Sequence, residues 1–117
     1  MKLICGRSRA GKTTYSQQYN NVIHLDDFGI IYKSYDNVLK YIKENNPDNI
    51  IIEGIYDTAE LRTSLLNACK CSGKKTCIWL DTPWEIIEKR FMFVKPKFRP
   101  FEPPTYTEGW DDIIVIR

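Results

Sequence analysis

The chain has 117 residues, of which 43% are hydrophobic and 27% charged, a balance typical of one globular domain spanning residues 1–117. Its 17 basic and 15 acidic side chains leave a net charge of +2, so any attraction to nucleic acid must come from a local patch. No apolar run reaches the roughly 18 residues of a membrane helix, and the short apolar start is too brief for a signal peptide. We therefore expect a cytoplasmic protein without membrane contact.

Short apolar runs rich in β-branched residues alternate along the chain with stretches of helical periodicity. The predicted strands cover residues 2–5, 22–25, 50–52, 76–80 and 113–116, and the predicted helices cover residues 12–19, 34–45, 58–70 and 83–92. This alternation predicts an α/β fold with a five-stranded, mostly parallel sheet covered by helices on both faces. Residues 93–104 contain four of the six prolines and should form a loop.

The cysteines and the single histidine give little sign of a metal or redox centre. Cys5 and Cys77 fall in predicted strands, where cysteine behaves as a small buried hydrophobe. Cys69 and Cys71 lack the second pair or nearby histidine that a zinc site needs. We expect no structural metal and no disulfide, and we interpret His24 as a strand-end side chain rather than a ligand or a base.

Residues 6–13 match the whole P-loop pattern G-x4-G-K-S/T, directly after a predicted strand and at the start of a predicted helix. In such loops the backbone N–H groups surround phosphate oxygens, the lysine reaches the β and γ phosphates, and the hydroxyl binds Mg²⁺. This predicts a P-loop NTPase fold of the nucleotide-kinase type that uses ATP and Mg²⁺, with Lys12 and Thr13 in those two roles. The expected nucleotide contacts are Gly6, Arg7, Ser8, Arg9, Ala10, Gly11, Lys12, Thr13 and Thr14. The alternative is an ordinary strand-to-helix turn.

Acidic residues follow two further predicted strands. Asp26 and Asp27 come at the end of the second strand, where a carboxylate can face the γ-phosphate and take a proton from an acceptor hydroxyl. The pair is also compatible with a helix N-cap or a turn. Glu53 ends the third strand, where it would lie near Mg²⁺ or its waters, unless it belongs to a surface turn. Arg62, on the helix that follows, either faces the acceptor or is a solvated helical side chain.

Residues 89–99 contain five cations and no acid, interleaved with three phenylalanines. The cations are Lys89, Arg90, Lys95, Lys97 and Arg99. Basic residues interleaved with aromatic ones suit single-stranded nucleic acid or another phosphate-bearing acceptor. They equally suit a lid that closes on ATP alone, with the phenylalanines packed as core. The residues that we assign as acceptor contacts are Asp27, Arg62, Lys95, Lys97 and Arg99.

Four segments together resemble the kinase domain of polynucleotide 5'-hydroxyl kinases, and the resemblance covers nearly the whole chain. They are the P-loop, the Asp26-Asp27 pair, the Thr82-Pro83-Trp84 turn before a helix ending in Lys89-Arg90, and residues 101–110, which are similar to F-x-x-P-x-x-x-E-G-F/W. The resemblance implies that Asp26 is the general base and that Lys12 and Thr13 act on the nucleotide. It also implies a catalytic role for Arg90 on the transferred phosphate.

Two departures from that family concern the acceptor. Gly29 replaces an arginine that usually follows the base by three residues and holds the acceptor's phosphate, and the segment after Arg90 is much shorter than the usual lid. Both departures favour a small-molecule acceptor, whereas the basic, aromatic-interleaved residues 89–99 and the rest of the resemblance favour a nucleic-acid 5'-hydroxyl, which is the preferred acceptor. A kinase for a nucleoside, nucleotide or other small molecule, and a nucleotide-binding ATPase without efficient transfer, stay open.

Overall fold

The structure is a computed structural model that describes residues 1–29, 32–45, 47–70, 73–91, 98 and 100–117. Within these residues the strands are β1 (Lys2–Gly6), β2 (Val22–His24), β3 (Ile51–Gly54), β4 (Thr76–Leu80) and β5 (Asp112–Ile116). The α-helices are α1 (Lys12–Ser16), α2 (Tyr32–Asn45), α3 (Ala59–Ala68) and α4 (Trp84–Arg90). Short 3-10 helices cover Leu25–Phe28 and Tyr106–Glu108.

The five strands form one sheet in the order β2-β3-β1-β4-β5, and every neighbouring pair is parallel. The central strand β1 lies between β3 and β4, with Leu3 in register with Ile52 on one side and Cys77 on the other. The predicted α/β architecture is confirmed, and the sheet is wholly parallel because each connection crosses over before the next strand. All five carboxyl ends therefore meet at one edge.

The sheet carries a hydrophobic layer on each face. Along β1, Leu3 and Cys5 pack into the layer beneath α2 and α3, whereas Ile4 packs into the opposite layer with Ile87 of α4 and Tyr15 of α1. Leu3, Ile4 and Cys5 are all fully buried. A strand buried on both faces explains why β1 reads as a continuous apolar run rather than an alternating one.

Some boundaries differ from those predicted from the sequence. Helix α1 ends at Ser16 rather than residue 19, because its last turn tightens: Gln17 N–H donates to the Thr14 carbonyl and Tyr19 N–H to that of Ser16. Asn21 then adopts a left-handed φ of 58°. Of the proline-rich segment, residues 98 and 100–104 are described and form neither helix nor strand, as predicted.

The described cysteines behave as core residues. Cys5, Cys69 and Cys77 are buried and none of them is in a disulfide, while Cys71 lies outside the described residues. The Sγ atoms of Cys5 and Cys77 are 3.6 Å apart, too far for an S–S bond. In the part of the chain that the structure describes, no helix has the length and apolar character needed to cross a membrane.

Candidate functional site

A cleft of about 960 Å³ opens at the carboxyl edge of the sheet. Its lining includes these residues predicted from the sequence: Ser8, Arg9, Ala10, Gly11, Lys12, Thr13, Thr14, Asp26, Glu53 and Arg90. Four other predicted site residues are described but do not line it: Gly6, Arg7, Asp27 and Arg62. Lys95, Lys97 and Arg99 lie outside the described residues. The topology therefore brings together most of the predicted site.

The two glycines of the loop serve different purposes. Gly11, just before α1, has a φ of +100°, a left-handed conformation that a side chain would strain. Gly6 ends β1, and a Cβ there would come within 2.8 Å of the Leu80 carbonyl oxygen on β4. The neighbouring strand therefore leaves no room for a side chain at Gly6, and the role of this residue as a nucleotide contact stays a prediction.

Lys12 forms a buried cation in the cleft wall. The residue is 8% exposed, and its Nζ donates a 2.7 Å hydrogen bond to the Arg7 carbonyl across the loop. Burial lowers the pKa of Lys12 below its ordinary value, and the nearby negative charges of Glu53 and Asp26 offset part of that effect. Because this hydrogen bond is to a neutral carbonyl, the ammonium can still attract an anion that enters the cleft.

Asp26 and Asp27 lie in the first turn of the 3-10 helix Leu25–Phe28 that follows β2. Both are exposed, but only Asp26 lines the cleft. The preceding N-cap position is His24, and its side chain makes no capping hydrogen bond. The backbone of the pair thus forms a turn, as one interpretation of the sequence held, but neither aspartate is the N-cap of this 3-10 helix. Of the two, Asp26 is the one that a molecule in the cleft would meet.

Glu53 lies in β3 and is only 5% exposed, so it is not in a surface turn. Its Oε2 accepts a 2.8 Å hydrogen bond from Nδ1 of His24, the residue in register with it on β2. Beside it, Gly54 permits a close approach between β3 and the segment after β2: a Cβ there would come within 2.8 Å of the Leu25 Cβ. A carboxylate is thus held at the junction of β2 and β3, facing the cleft.

The oxygen donors of the cleft fit Mg²⁺ brought in with a nucleotide. The Thr13 hydroxyl and the Glu53 carboxylate belong to residues lining the same cleft, and Mg²⁺ prefers oxygen ligands. Among the described residues, no group of three His, Cys, Asp or Glu could hold a metal ion. Mg²⁺ in such sites characteristically takes one or two protein ligands and completes its shell with phosphates and water.

Cations and aromatic rings contact one another beside the loop of residues 6–13. Arg90, at the end of α4, donates from Nη1 to the Arg9 carbonyl at 2.6 Å. The Arg9 guanidinium lies 5.5 Å from the Phe91 ring centre, and that of Arg7 lies 5.0 Å from the ring centre of Phe98. These distances are in the range of cation–π attraction. Two of the phenylalanines among residues 89–99, Phe91 and Phe98, therefore contact arginines of the loop.

Arg62 is neither an acceptor contact nor a solvated side chain, and both interpretations from the sequence are wrong. It is fully buried, and its Nε and Nη2 donate to the two carboxylate oxygens of Glu108 at 2.8 and 3.0 Å. Its Nη1 donates to the Tyr56 carbonyl at 2.8 Å. A guanidinium held on three nitrogens inside the protein cannot reach a substrate in the cleft.

The Arg62–Glu108 ion pair also helps to hold residues 101–110 in place. Glu108 also accepts a hydrogen bond from Trp110 Nε1 at 3.0 Å, and Thr105 forms a capping box with it. Burial alone would raise the pKa of Glu108, but the hydrogen bonds from Arg62 and Trp110 outweigh it, so the pKa lies below its ordinary value. Phe101 stacks on Trp79 with ring centres 5.7 Å apart. In this chain the segment is a packing motif.

Sequence reasoning missed Thr82 as a part of the site. Its hydroxyl donates to the Ala10 carbonyl at 2.7 Å, which ties the loop after β4 to the loop of residues 6–13. Thr82 also lines the cleft. The turn before α4 is visible in the sequence, but no local pattern indicates that its hydroxyl has a partner 72 residues away.

Compared with known proteins, the chain matches no protein-family model, and no curated protein is significantly similar to it.

Proposed function

We propose that the protein is a P-loop kinase that uses ATP and Mg²⁺ to transfer the γ-phosphate to a hydroxyl acceptor. The observation that carries this proposal is the meeting of Lys12 and Asp26 in one cleft, beneath a complete G-x4-G-K-T loop. A buried ammonium and an exposed carboxylate supply the two groups that phosphoryl transfer requires, one for phosphate charge and one for the acceptor.

The roles follow from the two environments. Lys12 neutralises negative charge on the β and γ phosphates, and its low exposure makes that attraction stronger than it would be in water. Asp26 orients the acceptor hydroxyl and takes its proton while the oxygen bonds to the γ-phosphorus and the bond to the β–γ bridging oxygen breaks. The products are the phosphorylated acceptor and ADP.

Thr13 and Glu53 would hold Mg²⁺, directly or through its waters. When bound, the ion would supply positive charge that neutralises the phosphates of the nucleotide. Arg90, fixed beside the loop by its bond to the Arg9 carbonyl, contributes a second cation at the cleft rim.

The preferred acceptor is a nucleic-acid 5'-hydroxyl. Asp26 is exposed, so a bulky acceptor can reach it. Arg90, which lines the cleft, belongs to the run of five basic residues between positions 89 and 99. A nucleoside, nucleotide or other small-molecule acceptor is the second candidate. It is favoured by the burial of Arg62, which removes one cation from the expected acceptor side.

Incubation with ATP labelled on the γ-phosphate tests the proposal. The label should move to 5'-hydroxyl oligonucleotides, or to mononucleotides if the second candidate is right. Lys12→Ala should reduce transfer by at least about 100-fold, whereas Lys43→Ala, on α2 away from the cleft, should not. Label released only as inorganic phosphate would indicate an ATPase, and equal transfer by the Lys12→Ala variant would contradict the assigned phosphate site.

A further inference from the structure

The carboxylate of Glu53 and the ammonium of Lys12 share one cleft without forming an ion pair. Both residues are less than 10% exposed and both line the cleft. Within the described part of the chain, the ion pairs include none between them; Nζ of Lys12 donates instead to the Arg7 carbonyl. Opposite charges attract strongly where both groups are buried, so a contact that restrains Glu53 would help to keep the two apart.

His24 is placed to do so. It is in register with Glu53 on the neighbouring parallel strand, which sets the two side chains on the same face of the sheet. Its Nδ1 donates to Glu53 Oε2 at 2.8 Å. The His24 side chain is 34% exposed and does not line the cleft, whereas that of Glu53 is 7% exposed and does. Any effect of His24 on the site must therefore act through Glu53.

We propose that His24 is a positioning residue that holds Glu53 away from Lys12, so that the lysine stays available for the nucleotide phosphates. The hydrogen bond occupies one carboxylate oxygen and fixes the direction of the side chain. Without it, Glu53 would turn toward the ammonium, and an intramolecular ion pair would compete with the incoming phosphates. This inference rests on the proposed function, because it assigns Lys12 to a bound nucleotide.

The test measures ATP binding to the full chain by calorimetry in EDTA, where Lys12 acts without Mg²⁺. His24→Leu removes the donor and should weaken binding by about tenfold, within the range of coupling between contacting residues. His24→Asn should bind more nearly as the wild type, because its amide N–H can take the place of Nδ1–H. His24→Ser, too short to reach Glu53, is a second variant without the donor.

The decisive comparison uses Glu53→Gln. In that background no carboxylate can capture Lys12, so adding His24→Leu should not weaken ATP binding further. Val22→Ala, on the same strand but in register with Ile51 rather than with Glu53, is the control: it should lower the melting temperature without lowering ATP affinity.

Three results would overturn the inference. If His24→Leu and His24→Ser bound ATP as tightly as the wild type, Glu53 would need no restraint. If the loss persisted in the Glu53→Gln background, the role of His24 would be general strand packing. If the wild type bound no ATP, the proposed function would fail first, and this inference with it.

Discussion

Removing the charge of Glu108 is the sharpest test of what holds the carboxyl-terminal segment in place. Its two oxygens accept hydrogen bonds from Arg62 Nε and Nη2, from Trp110 Nε1 and, at 3.2 Å, from the Thr105 N–H. In Glu108→Gln, an amide N–H₂ would face donors at one of these positions, and the buried guanidinium would lose its counter-ion. Breaking a buried ion pair in this way costs about 3–5 kcal/mol.

That loss is large beside the roughly 5–15 kcal/mol that stabilises a typical domain. Urea unfolding followed by tryptophan fluorescence and circular dichroism should therefore show a clearly lower midpoint for Glu108→Gln. The matched control is Glu44→Gln on α2, whose pairing with Lys40 spans 3.9 Å between side chains that are 61% and 73% exposed. Exposed helical pairs contribute only about 0.3–0.5 kcal/mol. A loss for Glu108→Gln no larger than that of the control would refute the reasoning.

The remaining tests address the acceptor, the packing and the pH dependence. Asp26→Asn should abolish transfer with ATP affinity nearly unchanged and Asp27→Asn should be milder; full activity in both would remove the assigned base. Gly54→Ala would press a methyl group against Leu25 and should cost about 1–3 kcal/mol in urea unfolding, whereas Gly73→Ala, with nothing within 4 Å, should cost little. The pKa of Glu108 is lowered in the folded protein, so its ionised carboxylate stabilises the fold fully above pH 4.5, the ordinary pKa of a glutamate. This stabilisation is lost as the pH falls through the lowered pKa. The urea midpoints of Glu108→Gln and wild type should therefore converge in acid. Neutralising three cations together should reduce the slope of log KM for the oligonucleotide against log salt concentration by about 0.7 for each phosphate that the protein no longer binds. An unchanged slope would favour the small-molecule acceptor. These cations are Lys95, Lys97 and Arg99.

The parts of the site that follow strand ends could be predicted from the sequence. Parallel strands bring their carboxyl ends to one edge of the sheet. Correct strand assignments were therefore enough to predict that Lys12, Asp26 and Glu53 lie in one cleft. For β1 and β3 the apolar runs gave those assignments because strands buried on both faces have a strong and simple pattern.

The parts that depend on partners distant in sequence could not be predicted. Arg62 lies 46 residues from Glu108, and nothing in its helix marks the position as buried. The hydrogen bond between His24 and Glu53 depends on strand register, which the order β2-β3-β1 alone does not fix. The early end of α1 depends on tightened backbone hydrogen bonds rather than on a glycine or proline that a sequence pattern would reveal.

The Arg62–Glu108 contact also has a consequence for the order of folding events. It closes a loop of 46 residues, and each partner must lose its hydration before the pair is complete. We expect this contact to form after the transition state, once β5 has docked on β4. Glu108→Gln should then accelerate unfolding and leave the refolding rate nearly unchanged in stopped-flow measurements. The ion pair would then slow unfolding and so lengthen the lifetime of the folded protein.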